Sequence, residues 1–108
     1  MRLASRLLAL LVLLPLAALA QGKTIKIGVL NDQSGLYADL GGQGSVMAAK
    51  MAAEQFGNKV AGMPVEVVFA DHQNKPDIGS SIATKWMDVE GVDVIVDVPN
   101  SGVSLAVA

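Results

Sequence analysis

Apolar positions change period several times along the chain, and each change marks an element. Thr24 to Asn31 (TIKIGVLN) alternates and then becomes wholly apolar, the pattern of a buried strand. Asp32 to Gly44 is polar and glycine-rich and predicts a loop or an irregular helix entry. From Ser45 to Phe56 the period becomes helical. Val46, Ala49, Ala53 and Phe56 share one face, while Lys50 and Glu54 point away, four residues apart. Gly57-Asn58 closes that helix. Val60 to Met63 reads as a connector and Pro64 to Asp71 (PVEVVFAD) as a second strand. Asn74-Lys75-Pro76-Asp77 opens a second helix, with proline suited to the first turn and Asp77 at the positive end of the dipole. Ile78, Ile82, Trp86 and Val89 carry it to Glu90. Gly91 breaks it, Val92 to Val98 (VDVIVDV) is a third strand, and a third helix begins near Ser101. Strands and helices alternating over short connections imply right-handed crossovers and a parallel sheet, so the expected class is α/β, doubly wound.

The N-terminus stands apart from this pattern. Residues 1–20 (MRLASRLLALLVLLPLAALA) carry Arg2 and Arg6, then an apolar run, then Ala18-Leu19-Ala20. A basic start, an apolar middle and a small-x-small end predict a secretory signal peptide cleaved before Gln21, handled by the secretion machinery and signal peptidase. The apolar run, about 14 residues, is shorter than the roughly 20 that span a bilayer. Removing it takes both arginines, and six lysines then face 10 acidic residues. That balance suits neither DNA nor RNA, so no nucleic-acid partner is expected. The chain of 108 residues has no cysteine. Small exported domains usually compensate for a thin core with disulfides. Their absence, and a third helix that starts only at the C-terminal end, predict that residues 21–108 are one part of a larger globular protein.

In an open parallel sheet, ligands bind beyond the carboxyl ends of the strands. Three loops lie there: Asp32 to Gly44, His72 to Lys75 and Pro99 to Gly102. The run Leu40-Gly41-Gly42-Gln43-Gly44-Ser45 invites a phosphate-cradle reading, but Met47 stands where a third glycine belongs and the cluster lies ten residues past its strand. Asp71 at a strand end is the single feature in favour of a dinucleotide. Gly79-Ser80-Ser81-Ile82-Ala83 loosely resembles a nucleophile elbow, yet it sits inside a helix. His72 is the only histidine, and with no cysteine the chain cannot assemble a zinc-type ligand set. No cofactor is expected. What remains is non-covalent recognition by neutral hydrogen-bonding groups: Gln33, Ser34, Tyr37 and the glycines in the first loop, Asn100 and Ser101 in the third. Asn100-Ser101 opens a helix, where free N–H groups favour a carboxylate. The same residues could equally serve only as that helix's cap.

Two long segments, IKIGVLNDQSGLYADLGGQGSVMAAKMAAEQF and VEVVFADHQNKPDIGSSIATKWMDVEGVDVIVDVPNSGVSLAVA, resemble the start of the substrate-binding proteins of branched-chain amino-acid-type ABC importers. The marks are a strand followed by Ser34-Gly35, then Gly41 and an alanine-rich helix, a strand ending in Asp71, a proline-opened helix and the Gly91-to-Ile95 strand. The resemblance implies a partial N-terminal lobe of a two-lobe type I periplasmic binding protein, with the second lobe supplied by sequence outside this chain. It implies a small carboxylate-bearing solute, an amino acid or an aromatic or aliphatic acid, delivered in the periplasm to an inner-membrane ABC permease, with no reaction performed. NDQSGLYADLGGQGS looks closest to members that take up aromatic or other organic acids. The resemblance also implies that Asn100 or Ser101 meets the solute carboxylate, Asn100 standing where serine is usual, and that Tyr37 and Leu40 form an apolar wall. It puts the carboxylate that holds an α-amino group in the other lobe. On this reading Gly41, Gly42 and Gly44 shape the wall without touching the solute. Two rival expectations are a sensing ectodomain of the same fold and an exported enzyme on a doubly wound sheet.

Overall fold

The computed structural model describes residues 22–108, so the expected signal peptide lies outside the described residues. Strand β1 (Ile25–Asn31) is central. It pairs in parallel with β3 (Met63–Asp71) on one side and with β4 (Val94–Val96) on the other. A short strand, β2 (Lys59–Val60), adds antiparallel to the outer edge of β3, giving the order β2-β3-β1-β4. Helix α1 (Gly42–Gln55) connects β1 to the β2–β3 hairpin, and α2 (Pro76–Lys85) connects β3 to β4. Helix α3 (Ser101–Val107) follows β4.

The register explains the layering. Gly28, Leu30, Val68, Ala70 and Ile95 alternate onto one face, where Leu30 is buried with Ala83, Trp86 and Val92 and is flanked by Ile82 and Val107. Helices α2 and α3 therefore cover that face. Phe69 points to the other, where Lys50 of α1 sits 5.5 Å from its ring centroid. Val46 of α1 is buried on this second side. Helices on both faces of a sheet whose core pairings are parallel make the fold doubly wound. Among the described residues, no helix is long and apolar enough to cross a membrane.

Five expectations change. The connector at 60–63 is instead the turn of a hairpin. Ala61 and Gly62 have φ of 50° and 76°, the doubly left-handed backbone of a type I′ turn, and this allows Lys59 to pair with Pro64 and Val60 with Met63. Helix α1 begins at Gly42 rather than Ser45, three residues earlier. Phe56, expected on its buried face, lies just past the last turn and is 75% exposed. Val89 is also exposed. The second helix does run to Glu90, but its final stretch, Trp86–Glu90, is π-helical. A π turn uses more residues per revolution, which rotates position 89 off the stripe that Ile82 and Trp86 define. Finally, the third strand is shorter than Val92 to Val98, for distinct reasons at each end. Val92 folds under Trp86 into the core, and Asp97 leaves the sheet in a left-handed conformation with φ 58°.

Candidate functional site

A cavity of about 460 Å³ opens beyond the carboxyl ends of β1 and β4. Its wall comes from the first and third loops: Asn31 to Gly42 on one side, Asp97 to Gly102 on the other. Tyr37, Leu40, Asn100 and Ser101, the four residues expected to meet a ligand, all line it. Gln33 and Ser34 do not. Their side chains are spent inside the protein, Ser34 donating to Asp71 at 2.6 Å and Gln33 donating to Asn31 while accepting from Gln43. The glycines divide. Gly41 and Gly42 form part of the cavity wall, whereas Gly44 does not and faces open space.

Two buried residues that the pattern of the sequence did not single out build this wall. Asn31, 1% exposed at the end of β1, donates to the Gly42 carbonyl at 3.0 Å and to the Asp97 carboxylate at 2.7 Å, and accepts from Gln33. One amide thus ties β1 to the start of α1 and to the end of β4, with both ends of its hydrogen-bonding capacity used. Gly42 is fitted to that approach. Its φ of 45° is left-handed, and a β-carbon there would meet the Asp32 carbonyl at 3.4 Å.

Asp32, equally buried, organises the loop. Its carboxylate accepts the N–H groups of Gly35 (2.8 Å), Tyr37 (2.9 Å) and Ser34 (3.3 Å) and the Asn74 amide (2.7 Å). Burial acts to raise its pKa, but the donations from Tyr37, Gly35, Asn74 and Ser34 outweigh burial and hold it below the ordinary value of 3.8. The neighbouring Asp71 behaves in the same way. Burial and the nearby Asp32 charge push it up, while the Gln33 and Gln73 N–H groups and the Ser34 hydroxyl bring it net lower. Asp71 is therefore a fastener for the first loop, which accounts for an acid at the end of β3 without any ribose.

The second loop does not line the cavity; it braces the other two. Asn74 donates to Asp32 and accepts from Asn100 at 3.4 Å, and its own N–H donates to His72 Nδ1 at 2.9 Å. His72 is fully buried, and its Nε2 has no partner among the described residues. At the third loop Asn100 is the N-cap of α3, its side-chain oxygen accepting from Val103 N–H at 3.1 Å. With its amide turned to Asn74, the Asn100 side chain is committed to structure. Ser101 carries a hydroxyl on that part of the wall that has no hydrogen-bond partner among the described residues.

Residues 24–108 match the family described as periplasmic binding protein. The chain belongs to the periplasmic binding protein family. A comparison with curated proteins found no match. Among solved structures, a periplasmic binding protein from Burkholderia mallei is 54% identical with a TM-score of 0.75, over 77% of this chain and 22% of that one. The periplasmic ligand-binding protein of a branched-chain amino acid ABC transporter from Burkholderia xenovorans is 50% identical with a TM-score of 0.75, over 78% and 22%. A solute-binding protein of an ABC transporter from R. palustris, in complex with 4-hydroxybenzoate, is 32% identical with a TM-score of 0.71, over 79% and 23%. The chain thus spans under a quarter of the length of these periplasmic binding proteins, and its fold is that of a partial lobe. The family is one of solute-binding proteins of the ABC-transporter type, periplasmic by its description, and the similarity does not favour a sensing ectodomain.

Proposed function

We propose that this chain forms part of the solute-binding component of an ABC uptake system. In this role it holds a small carboxylate-bearing solute in the periplasm, reached through a cleaved signal peptide at residues 1–20, and passes it to an inner-membrane permease. The observation that carries this reading is the wall itself: an open cavity at the strand ends, lined on one side by Tyr37 and Leu40 and on the other by Ser101 and Asn100. Tyr37, Leu40 and Pro99 offer apolar surface to the body of the solute. The Ser101 hydroxyl, with the unpaired N–H groups of Ser101 and Gly102 that Asn100 does not cap, offers donors to a carboxylate. Membership of a family of solute-binding proteins supports reversible binding rather than turnover as the chemistry of this wall. A cavity open on one side binds tightly only when a second surface closes over it, and closure then follows from contacts made in the closed state alone.

The test is a thermal-shift screen of the full-length protein against branched-chain amino acids, benzoate, 4-hydroxybenzoate and short aliphatic acids, followed by calorimetry on the hits. The expected result is at least one carboxylic acid bound at micromolar Kd or tighter, with Ser101→Ala weakening it about tenfold, the loss of one hydrogen bond to a charged group. Absence of binding across the panel, or chemical conversion of a bound acid, would overturn the reading.

A further inference from the structure

We infer that Asp97 is a specificity-determining residue: within this lobe it accepts a hydrogen bond from a donor group that the solute carries in addition to its carboxylate. The inference rests on the function proposed above and deepens it. Its first support is the inventory of the wall. Two carboxylates, Asp32 and Asp97, line the cavity, and no lysine, arginine or histidine does. Asp32 is already saturated, with four donors on it. Asp97 receives only the Asn31 amide, on Oδ2, so among the described residues its other oxygen has no donor. A carboxylate beside a bound solute must find a donor or lose hydration without compensation.

Its second support is placement. Asp97 has a left-handed backbone, φ 58°, at the point where the chain leaves β4 for the third loop. Aspartate tolerates that conformation better than most residues, though glycine would adopt it without cost. Such backbone strain is concentrated where a side chain has a task. The Asn31 amide is itself buried and fixed by Gly42 and Gln33, so it anchors one oxygen of the solvent-exposed Asp97 and leaves the other at the open side of the cavity. A charged acceptor held this way repels an anion and draws a donor. The solute carboxylate is thereby directed to the Ser101 side and the donor to the Asp97 side. The donor is either a hydroxyl or an ammonium group, and matched pairs of acids separate the two.

Calorimetry on the full-length protein would compare 4-hydroxybenzoate with benzoate and leucine with 4-methylpentanoate, in wild type, Asp97→Asn and Asp97→Ala. Wild type should prefer the donor-bearing member of one pair by about tenfold or more. In Asp97→Ala that preference should collapse to within about threefold. Asp97→Asn, whose side chain suits the left-handed backbone and still accepts, should fall between the two. This variant also carries the test if the alanine protein does not fold. A merely structural role would weaken both members of a pair equally and leave their ratio intact. Wild-type binding of acids without preference in either pair, or a preference that survives both substitutions, overturns the inference while leaving the proposed function standing. Failure of every acid to bind wild type overturns both.

Discussion

Gly28→Ala is the sharpest test of how this sheet is packed. Gly28 lies in the central strand between Val68 of β3 and Ile95 of β4, with the indole of Trp86 laid across its backbone. A methyl group there would stand 2.5 Å from Trp86 Cζ3, 2.7 Å from Cε3 and 3.1 Å from Val92 Cγ1. Carbon atoms prefer separations of about 3.5–4.0 Å, so the ring would have to retreat by roughly 1 Å. Trp86 is 5% exposed and Val92 4%, and both belong to the same packed cluster, so neither has room to move. Overpacking of this kind costs about 1–3 kcal/mol, and contact with a wedged ring puts this case at the upper end. For a domain of about 150–250 residues each kcal/mol lowers Tm by about 2–4 °C, giving an expected fall of roughly 6–12 °C. Scanning calorimetry of the full-length protein would measure it. A double variant that adds Trp86→Leu should lose less than the sum of the two single changes, by about 1 kcal/mol or more, because the leucine vacates the space the methyl needs. A Gly28→Ala protein melting within about 1 °C of wild type would refute the packing argument.

Further outcomes are expected elsewhere. Asp32→Ala removes the acceptor of three backbone N–H groups and the Asn74 amide. Amide hydrogen exchange at residues 34–37 should accelerate, and solute affinity should drop about tenfold or more because Tyr37 is no longer held in the wall. Asp32 and Asp71 both have native pKa values depressed below 3.8, so each stabilises the first loop fully above that value. That stability is lost as pH falls below 3.8 and through the lower native values. Tm should therefore decline steeply there and be flatter over the same range in Asp71→Asn. Ala61→Asn should raise stability by about 0.5–1 kcal/mol in urea denaturation, since Asn-Gly is the preferred pair for a turn in which both central φ values are positive.

The alternation of apolar and polar positions carries most of the fold, because burial on the two faces of a sheet and along the inner stripe of a helix is what that alternation records. It locates β1, β3 and α2 closely, and it brings Tyr37, Leu40, Asn100 and Ser101 to one set of strand ends, where they share a cavity. Its errors fall where something other than burial decides. Asp97 reads as one more outward position in VDVIVDV, yet a single left-handed residue takes it out of the sheet and into the cavity wall. Asn31 and Asp32 are polar residues at the end of an apolar strand, and polarity alone suggests a loop in water. Asp32 followed three residues later by glycine is the trace such an acid leaves when it folds a loop around itself, an Asx turn. The glycine-rich run is similarly ambiguous until Asn31 is seen to need the Gly42 carbonyl. These residues make the wall rigid before any solute arrives. Asp32 already satisfies the N–H groups of the first loop, as a bound anion otherwise would, and Asn31 already fixes Asp97. Ordering the loop is therefore a cost of folding and not of binding, and that leaves more of the contact energy with the solute to appear as affinity. The same reasoning explains why Gln33 and Ser34 behind the wall and Asn100 within it are engaged in holding its shape; on the function proposed here, Tyr37, Leu40, Ser101 and Asp97 are then the side chains left to read what enters.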